Sequence, residues 1–321
     1  MVIKFKYILF LLFVGLFNPI FSDVLAFNNA PEWITVYVHG TQTSTGLKLL
    51  NKFCKHVIYG QPGIHHISEL PKNALFWQDV EMLHNKSGGR FDREHFYTFG
   101  WSGKLSFKVR EQEGLCLYQE LQALVKAYRE KYGYCPKLRI MTFSHGGNVA
   151  LNMVRHLPFF AGEQIYLELL LIACPVQKIT EPFIQHPAIN NIYTIASSRD
   201  LLQVVDWYKY KNKRYFPDRF FHVTQQNCTQ IKVNINHRGL GHLDLLRSFM
   251  YHLPFVLDMA DNASRKNNLT GLKPIVPCSK IHALKLCTQK PCIIECHITD
   301  TNFRFYNGFN LIPCVYGRRK S

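Results

Sequence analysis

Ser144 stands in the run Thr142-Phe143-Ser144-His145-Gly146-Gly147, directly after the apolar, β-branched stretch Leu138 to Phe143 and before a helical pattern from Asn148 to Leu157. A serine between a strand and a helix sits on a tight turn. Its hydroxyl is exposed there, with the helix amino terminus beneath it. Such a hydroxyl becomes a nucleophile only beside a base, and the base needs a third group to orient it. Downstream candidates exist for both. Asp200 and Asp206 follow the strand pattern Ile192 to Ala196, and His237 and His242 lie in Asn236-His237-Arg238-Gly239-Leu240-Gly241-His242-Leu243-Asp244. Upstream, His39-Gly40-Thr41 closes the strand pattern Trp33 to His39. A backbone turn of that kind can aim N–H groups at an oxyanion without reorganising. The chemistry these residue types suit is acyl transfer through a serine.

The surrounding sequence must position them. Strand and helix signals alternate from residue 33 onward, which predicts an α/β fold. Short aromatic His95 to Phe99 ends at Gly100. The stretch from 111 to 132 places Leu117, Leu121, Leu124, Val125 and Tyr128 at helical spacing and stops at Gly133. Tyr166 to Cys174 and Ile192 to Ala196 are near-continuous apolar strands, suited to a sheet covered on both faces. Residues 221 to 235 predict two short strands or one interrupted strand, and Leu243 to Met259 a last amphipathic helix. The polar stretch Asp261 to Lys273 is the expected boundary before a cysteine-bearing tail.

The segment around Ser144 resembles the nucleophile elbow of the α/β-hydrolase superfamily, in its lipase and serine-esterase branch. Phe99-Gly100-Trp101-Ser102 is similar to an F-x-W-S segment in several esterases of that superfamily. One departure is clear: Thr142 occupies the place of the first glycine in G-x-S-x-G. The resemblance spans roughly residues 33 to 260. It implies an α/β-hydrolase-like, mostly parallel sheet with helices on both faces, and a triad of Ser144, Asp200 and His242, with Asp206 and His237 as second choices. It also implies oxyanion donors from the amide of Thr41 or Gln42 and the amide of His145. No metal or organic cofactor is required. The branch points to carboxylic esters, acyl lipids in particular, although thioesters and amides use the same machinery. A catalytically inactive relative acting as a binding module is the competing reading, and Thr142 is the residue that keeps it open.

Lys4 and Lys6 precede an apolar run from Tyr7 to Phe17 that Asn18-Pro19 interrupts. Eleven apolar residues are too few to cross a bilayer, which takes about 20 in a helix. The pattern predicts a signal peptide over 1–26, cleaved near Ser22 or Ala26, and hence export. The expected organisation is then a hydrolase domain over 27–265 and a cysteine-rich tail over 266–321. Ten cysteines are present, and five fall in that tail: Cys278, Cys287, Cys292, Cys296 and Cys314. Export permits disulfides, and the tail spacings fit disulfide staples better than a zinc module. Cys174, within an apolar strand, is expected as a buried free thiol.

The balance of 38 basic to 22 acidic residues, net +16, favours anionic surroundings. Export and the lack of a recognition motif argue against nucleic acid. An anionic membrane surface is the partner that fits an exported lipid hydrolase.

Overall fold

The computed structural model describes residues 32–41, 61–70, 74–157, 165–205, 208–210, 213–222, 227–267, 281–286 and 293–300. The expected signal peptide, Gln42, Asp206 and the tail cysteines 278, 287, 292 and 314 lie outside the described residues.

The chain forms an α/β fold. Its strands are β1 (Trp33–Val38), β2 (Gly63–His66), β3 (Phe96–Gly100), β4 (Lys137–Phe143), β5 (Leu167–Ile172), β6 (Asn191–Ala196), β7 (Tyr208–Tyr210), β8 (Lys213–Tyr215), β9 (Cys228–Ile235), β10 (Arg238–Gly239), β11 (Ile281–Leu286) and β12 (Ile293–Ile298). The α-helices are α1 (Leu75–Lys86), α2 (Phe107–Tyr132), α3 (Gly146–Val154), α4 (Leu202–Val205), α5 (His242–Leu246) and α6 (Leu253–Asn267). One sheet runs in the order β11-β12-β9-β6-β5-β4-β1-β3-β2, with β10 folded back on β9. Every pairing from β3 through β12 is parallel; β2 and β11 pair antiparallel at the two edges. β7 and β8 form a separate two-stranded hairpin.

Alternation along the strands builds two cores. In β5, Leu167, Leu169 and Leu171 join one cluster with α2 and α3, while Leu170 and Ile172 join the other with α1, α5 and α6. Burial on both faces explains why these strands are apolar without interruption. The expected helix at 111–132 begins earlier, at Phe107, because Ser106 caps it through Oγ to the Val109 N–H. It ends at Gly133, whose φ of 75° is the left-handed conformation that favours glycine.

Three expectations are corrected. The single helix over Leu243 to Met259 is three pieces, α5, a 3-10 turn over Ser248–Tyr251, and α6. Within 221–235, expected as two short strands or one interrupted strand, residues 228–235 form a single continuous strand. Helix α6 continues through 261–267, the first part of the stretch read as a polar boundary, and β11 and β12 beyond it extend the main sheet. Among the described cysteines, Cys116, Cys174, Cys228 and Cys296 are free thiols, and Cys135 Sγ accepts from the Arg129 guanidinium. Cys296 was expected in a disulfide staple. It instead faces the core from β12, and burial pushes its thiol pKa up to about 12. Cys174 is buried and free as expected, and burial raises its pKa to about 12 as well. Among the described residues no helix is long and apolar enough to cross a membrane.

Candidate active site

Ser144 follows the last residue of β4 and lies at φ 53°, in the left-handed region that few non-glycine residues adopt. Its N–H donates to the Ile172 carbonyl of β5, and its own carbonyl accepts from the Gly147 N–H. These bonds force the sharp reversal from strand to helix. Gly146 is required by space: a Cβ there would stand 2.3 Å from the Val38 oxygen and 2.5 Å from the His39 oxygen. Thr142, the departure from the glycine pattern, fits because its hydroxyl points to the neighbouring strand and donates to the Leu170 carbonyl at 3.3 Å.

Asp200 and His242 meet. His242 Nδ1 lies 2.7 Å from Asp200 Oδ2, and the Asp200 carboxylate is fully buried. The other carboxylate oxygen, Oδ1, accepts from the Gln203 N–H at 3.1 Å, and the Arg219 guanidinium donates to the Asp200 carbonyl. The imidazole packs against the Phe143 ring at 4.6 Å between centroids, beside the serine turn. The loop bearing His242 is fastened to the loop bearing Asp200. The Leu240 N–H donates to Ser197 Oγ at 2.6 Å, and Gly239 leaves room for Ser197, Ser198 and Arg199 to pack against its backbone. The Gly241 N–H donates to Asp244 Oδ2 at 2.8 Å, so the G-L-G-H-L-D run is a loop lock followed by a helix start.

His237 does not share this site. It and Asn236, both at positive φ, form the two-residue turn between β9 and β10, and both are exposed. That conformation suits asparagine in a hairpin, and the histidine rides with it.

On the other side of Ser144 lies the loop His39-Gly40-Thr41. Gly40 touches the serine: a Cβ at residue 40 would stand 2.9 Å from the Ser144 Cβ. His39 is buried and bonded at both ring nitrogens. Its Nδ1 pairs with the Gly40 carbonyl at 2.7 Å, and its Nε2 accepts from the Trp101 backbone N–H at 3.1 Å. The proton therefore sits on Nδ1. The Trp101 indole N–H returns a bond to the His39 carbonyl at 2.7 Å, and the two rings stack. In the sequence, His39-Gly40 and Phe99-Gly100-Trp101-Ser102 are separate features. They are one assembly, bonded together next to Gly40, whose backbone touches the serine. His145, the other expected donor, is buried at the start of α3, immediately after Ser144. Thr41 Oγ1 is buried with no hydrogen-bond partner among the described residues.

Burial lowers the His39 pKa from 6.5 to about 4. The neutral ring is the form the folded protein holds, so its contribution is full above pH 6.5 and is lost as pH falls through 4. Wild type should lose up to about 3 kcal/mol of unfolding free energy across that window from this group. His39→Gln should be less stable at neutral pH and show a flatter acid limb in urea titrations. Parallel limbs for the two proteins would remove His39 as the titrating group.

Several further supports carried no sequence signal. Gln203 Nε2 donates to the Cys174 carbonyl at 2.7 Å, and Asn148 Nδ2 to the Pro175 carbonyl at 3.0 Å, pinning the loop after β5 behind the serine. Thr180 Oγ1 in turn donates to Asn148 Oδ1 at 2.6 Å. Among the described residues no cluster of His, Cys, Asp and Glu is placed to hold a metal ion.

No family model matches the chain, and no curated protein matches it. Among solved structures it is similar to a lipolytic enzyme. That chain comes from work on LipS and LipT, two metagenome-derived lipolytic enzymes; identity is 10%, over 74% of this chain and 95% of that one, with a TM-score of 0.35. At that distance the likeness assigns neither activity nor substrate.

Proposed function

We propose that this protein is a serine hydrolase of carboxylic esters that works through an acyl-enzyme, with Ser144 as nucleophile, His242 as base and Asp200 as the orienting carboxylate. The observation that carries the reading is the 2.7 Å bond between a fully buried Asp200 and His242 Nδ1, with the ring packed against the residue that precedes a strained serine. Occupying Nδ1 leaves Nε2 as the proton acceptor. Ser144 Oγ attacks the acyl carbon as its proton passes to Nε2. The imidazolium, stabilised by Asp200, then gives that proton to the leaving alkoxide. A water deprotonated by the same nitrogen attacks the acyl-enzyme, and the proton returns to Ser144 as the acid leaves.

The oxyanion is held by the backbone amides of Thr41 and His145, with Gln42 as the alternative to Thr41. The buried, unpartnered Thr41 hydroxyl supports adding a side-chain donor to that set. Thr41→Val, which keeps the shape and removes the O–H, should lower kcat about 10–100-fold with little change in KM. Thr41→Ser should recover most of it. Steady-state kinetics on a soluble p-nitrophenyl ester decide this; an unchanged kcat for Thr41→Val removes the hydroxyl from the site.

Export through a leader over 1–26 and acyl lipids as substrates belong to the same proposal. Reaction of the folded wild type with a fluorophosphonate probe tests its core. A folded protein that takes no label and turns over no ester is the inactive binding relative instead.

A further inference from the structure

Seven large apolar side chains are exposed among the described residues, and their placement is uneven. Leu105, Ile179, Leu201, Leu202 and Phe216 all lie on segments that leave the carboxyl ends of β3, β5 and β6, the end where Ser144 sits. Leu115 and Tyr166 are the two elsewhere. Leu201 is 66%, Phe216 67% and Leu105 60% exposed.

These segments hold on to one another. Val176 and Asp218 exchange backbone bonds at 2.8 and 3.0 Å, which joins the loop carrying Ile179 to the segment carrying Phe216. Gln203 reaches both Cys174 and Arg219, and Arg219 reaches Asp200, beside Leu201 and Leu202. Ile179 and Phe107 line one small cleft of about 220 Å³, two residues from Leu105. The apolar groups thus form a collar of linked segments at the carboxyl end of the sheet, the end that also carries the acid turn and the serine.

Beside the collar stands the detached β7–β8 hairpin. Residues 208–215 contain four cations, three tyrosines and no carboxylate. The register sets Lys209 directly opposite Arg214 and Tyr210 opposite Lys213. A two-stranded hairpin that stands apart from the main sheet is marginal by itself. An anionic surface laid against it complements the charge of that sequence. Lys178 adds a further cation, its ammonium 4.2 Å from the centre of the Tyr215 ring.

We propose that this face docks on an anionic phospholipid surface, the collar entering the acyl boundary and the hairpin meeting the headgroups, so that Ser144 opens toward lipid. Exposed leucine beside lysine, arginine and tyrosine is the composition of the membrane interface. A soluble polyanion would use the cations and leave Leu105, Leu201 and Leu202 without a role. The inference rests on the hydrolase reading for what happens to the lipid, and stands apart from it for the binding.

The test is co-sedimentation of the full chain with phosphatidylcholine vesicles, with and without phosphatidylglycerol. Wild type should bind the anionic vesicles and scarcely the neutral ones. Lys209→Gln/Arg214→Gln and, separately, Leu201→Ser/Phe216→Ser should each reduce binding about tenfold or more. The first pair should keep its turnover of a soluble ester. Equal binding to both vesicle types, unchanged binding in either double variant, or capture by heparin without vesicle binding overturns the proposal. Vesicle binding that follows the expected pattern, in a wild type inert toward soluble ester and fluorophosphonate, supports docking and sinks the hydrolase reading.

Discussion

Ser144→Ala should erase fluorophosphonate labelling and reduce ester turnover by about 10⁴–10⁶-fold, leaving only what substrate binding and the oxyanion donors contribute. Nothing else in the described site offers a nucleophile of equal standing, since the nearby Cys174 thiol is fully buried and its pKa is pushed up to about 12. The same position makes a second measurement possible. Serine at φ 53° is held against its conformational preference by the Ser144 and Gly147 backbone bonds. Ser144→Gly should therefore be as inactive as Ser144→Ala yet more stable than it by about 1 kcal/mol, because glycine accepts the left-handed region without a Cβ penalty. Urea midpoints of the two inactive variants provide the comparison. Equal midpoints would mean the turn is not strained, and residual labelling of Ser144→Ala would move the nucleophile elsewhere.

Asp200→Asn should cost about 10⁴-fold in kcat while leaving the fold intact. The amide oxygen introduced at position 200 can keep the acceptor role toward the Gln203 N–H, and its NH₂ then faces His242 Nδ1. A donor there reverses the ring: Nδ1 must accept, the proton moves to Nε2, and Nε2 can no longer take one from serine. The loss thus comes from the wrong tautomer rather than from a collapsed loop. Circular dichroism and kcat measured on the same preparation separate the two. A variant within tenfold of wild type would transfer the orienting role to another carboxylate, Asp206 being the sequence's second choice.

Much of the architecture was legible because burial writes itself into strand composition. The unbroken apolar runs of β5 and β6 could only belong to a sheet covered twice, and the turn after β4 needs the small residues at 146 and 147. The meeting of Asp200 with His242 was legible as an order along the chain. The bond itself depends on Gly239 and Ser197 bringing two loops together, and spacing does not encode that. The β7–β8 hairpin escaped because its charges mask the strand pattern. The break in the last helix escaped because apolar periodicity continues through the 3-10 turn over Ser248–Tyr251. The joint between His39 and Trp101 was invisible for another reason: residues 62 positions apart were each explained well enough alone.

Strand β12 pairs with β9, and just past it Asp300 exchanges two backbone-to-side-chain bonds with Asn236, in the turn that leads to His242. Asp300 also sits 3.1 Å from the buried His252 at the end of the 3-10 turn that follows the histidine's helix. The approach to the base is thus secured by a residue 64 positions farther along the chain. During synthesis the serine, the acid and the histidine all emerge long before their last fastening does. A nascent chain can build most of the sheet and join the histidine loop to Ser197, yet the β9–β10 turn gains this brace only once residue 300 has been delivered. The brace is thereby a later addition to a site whose loops already hold one another.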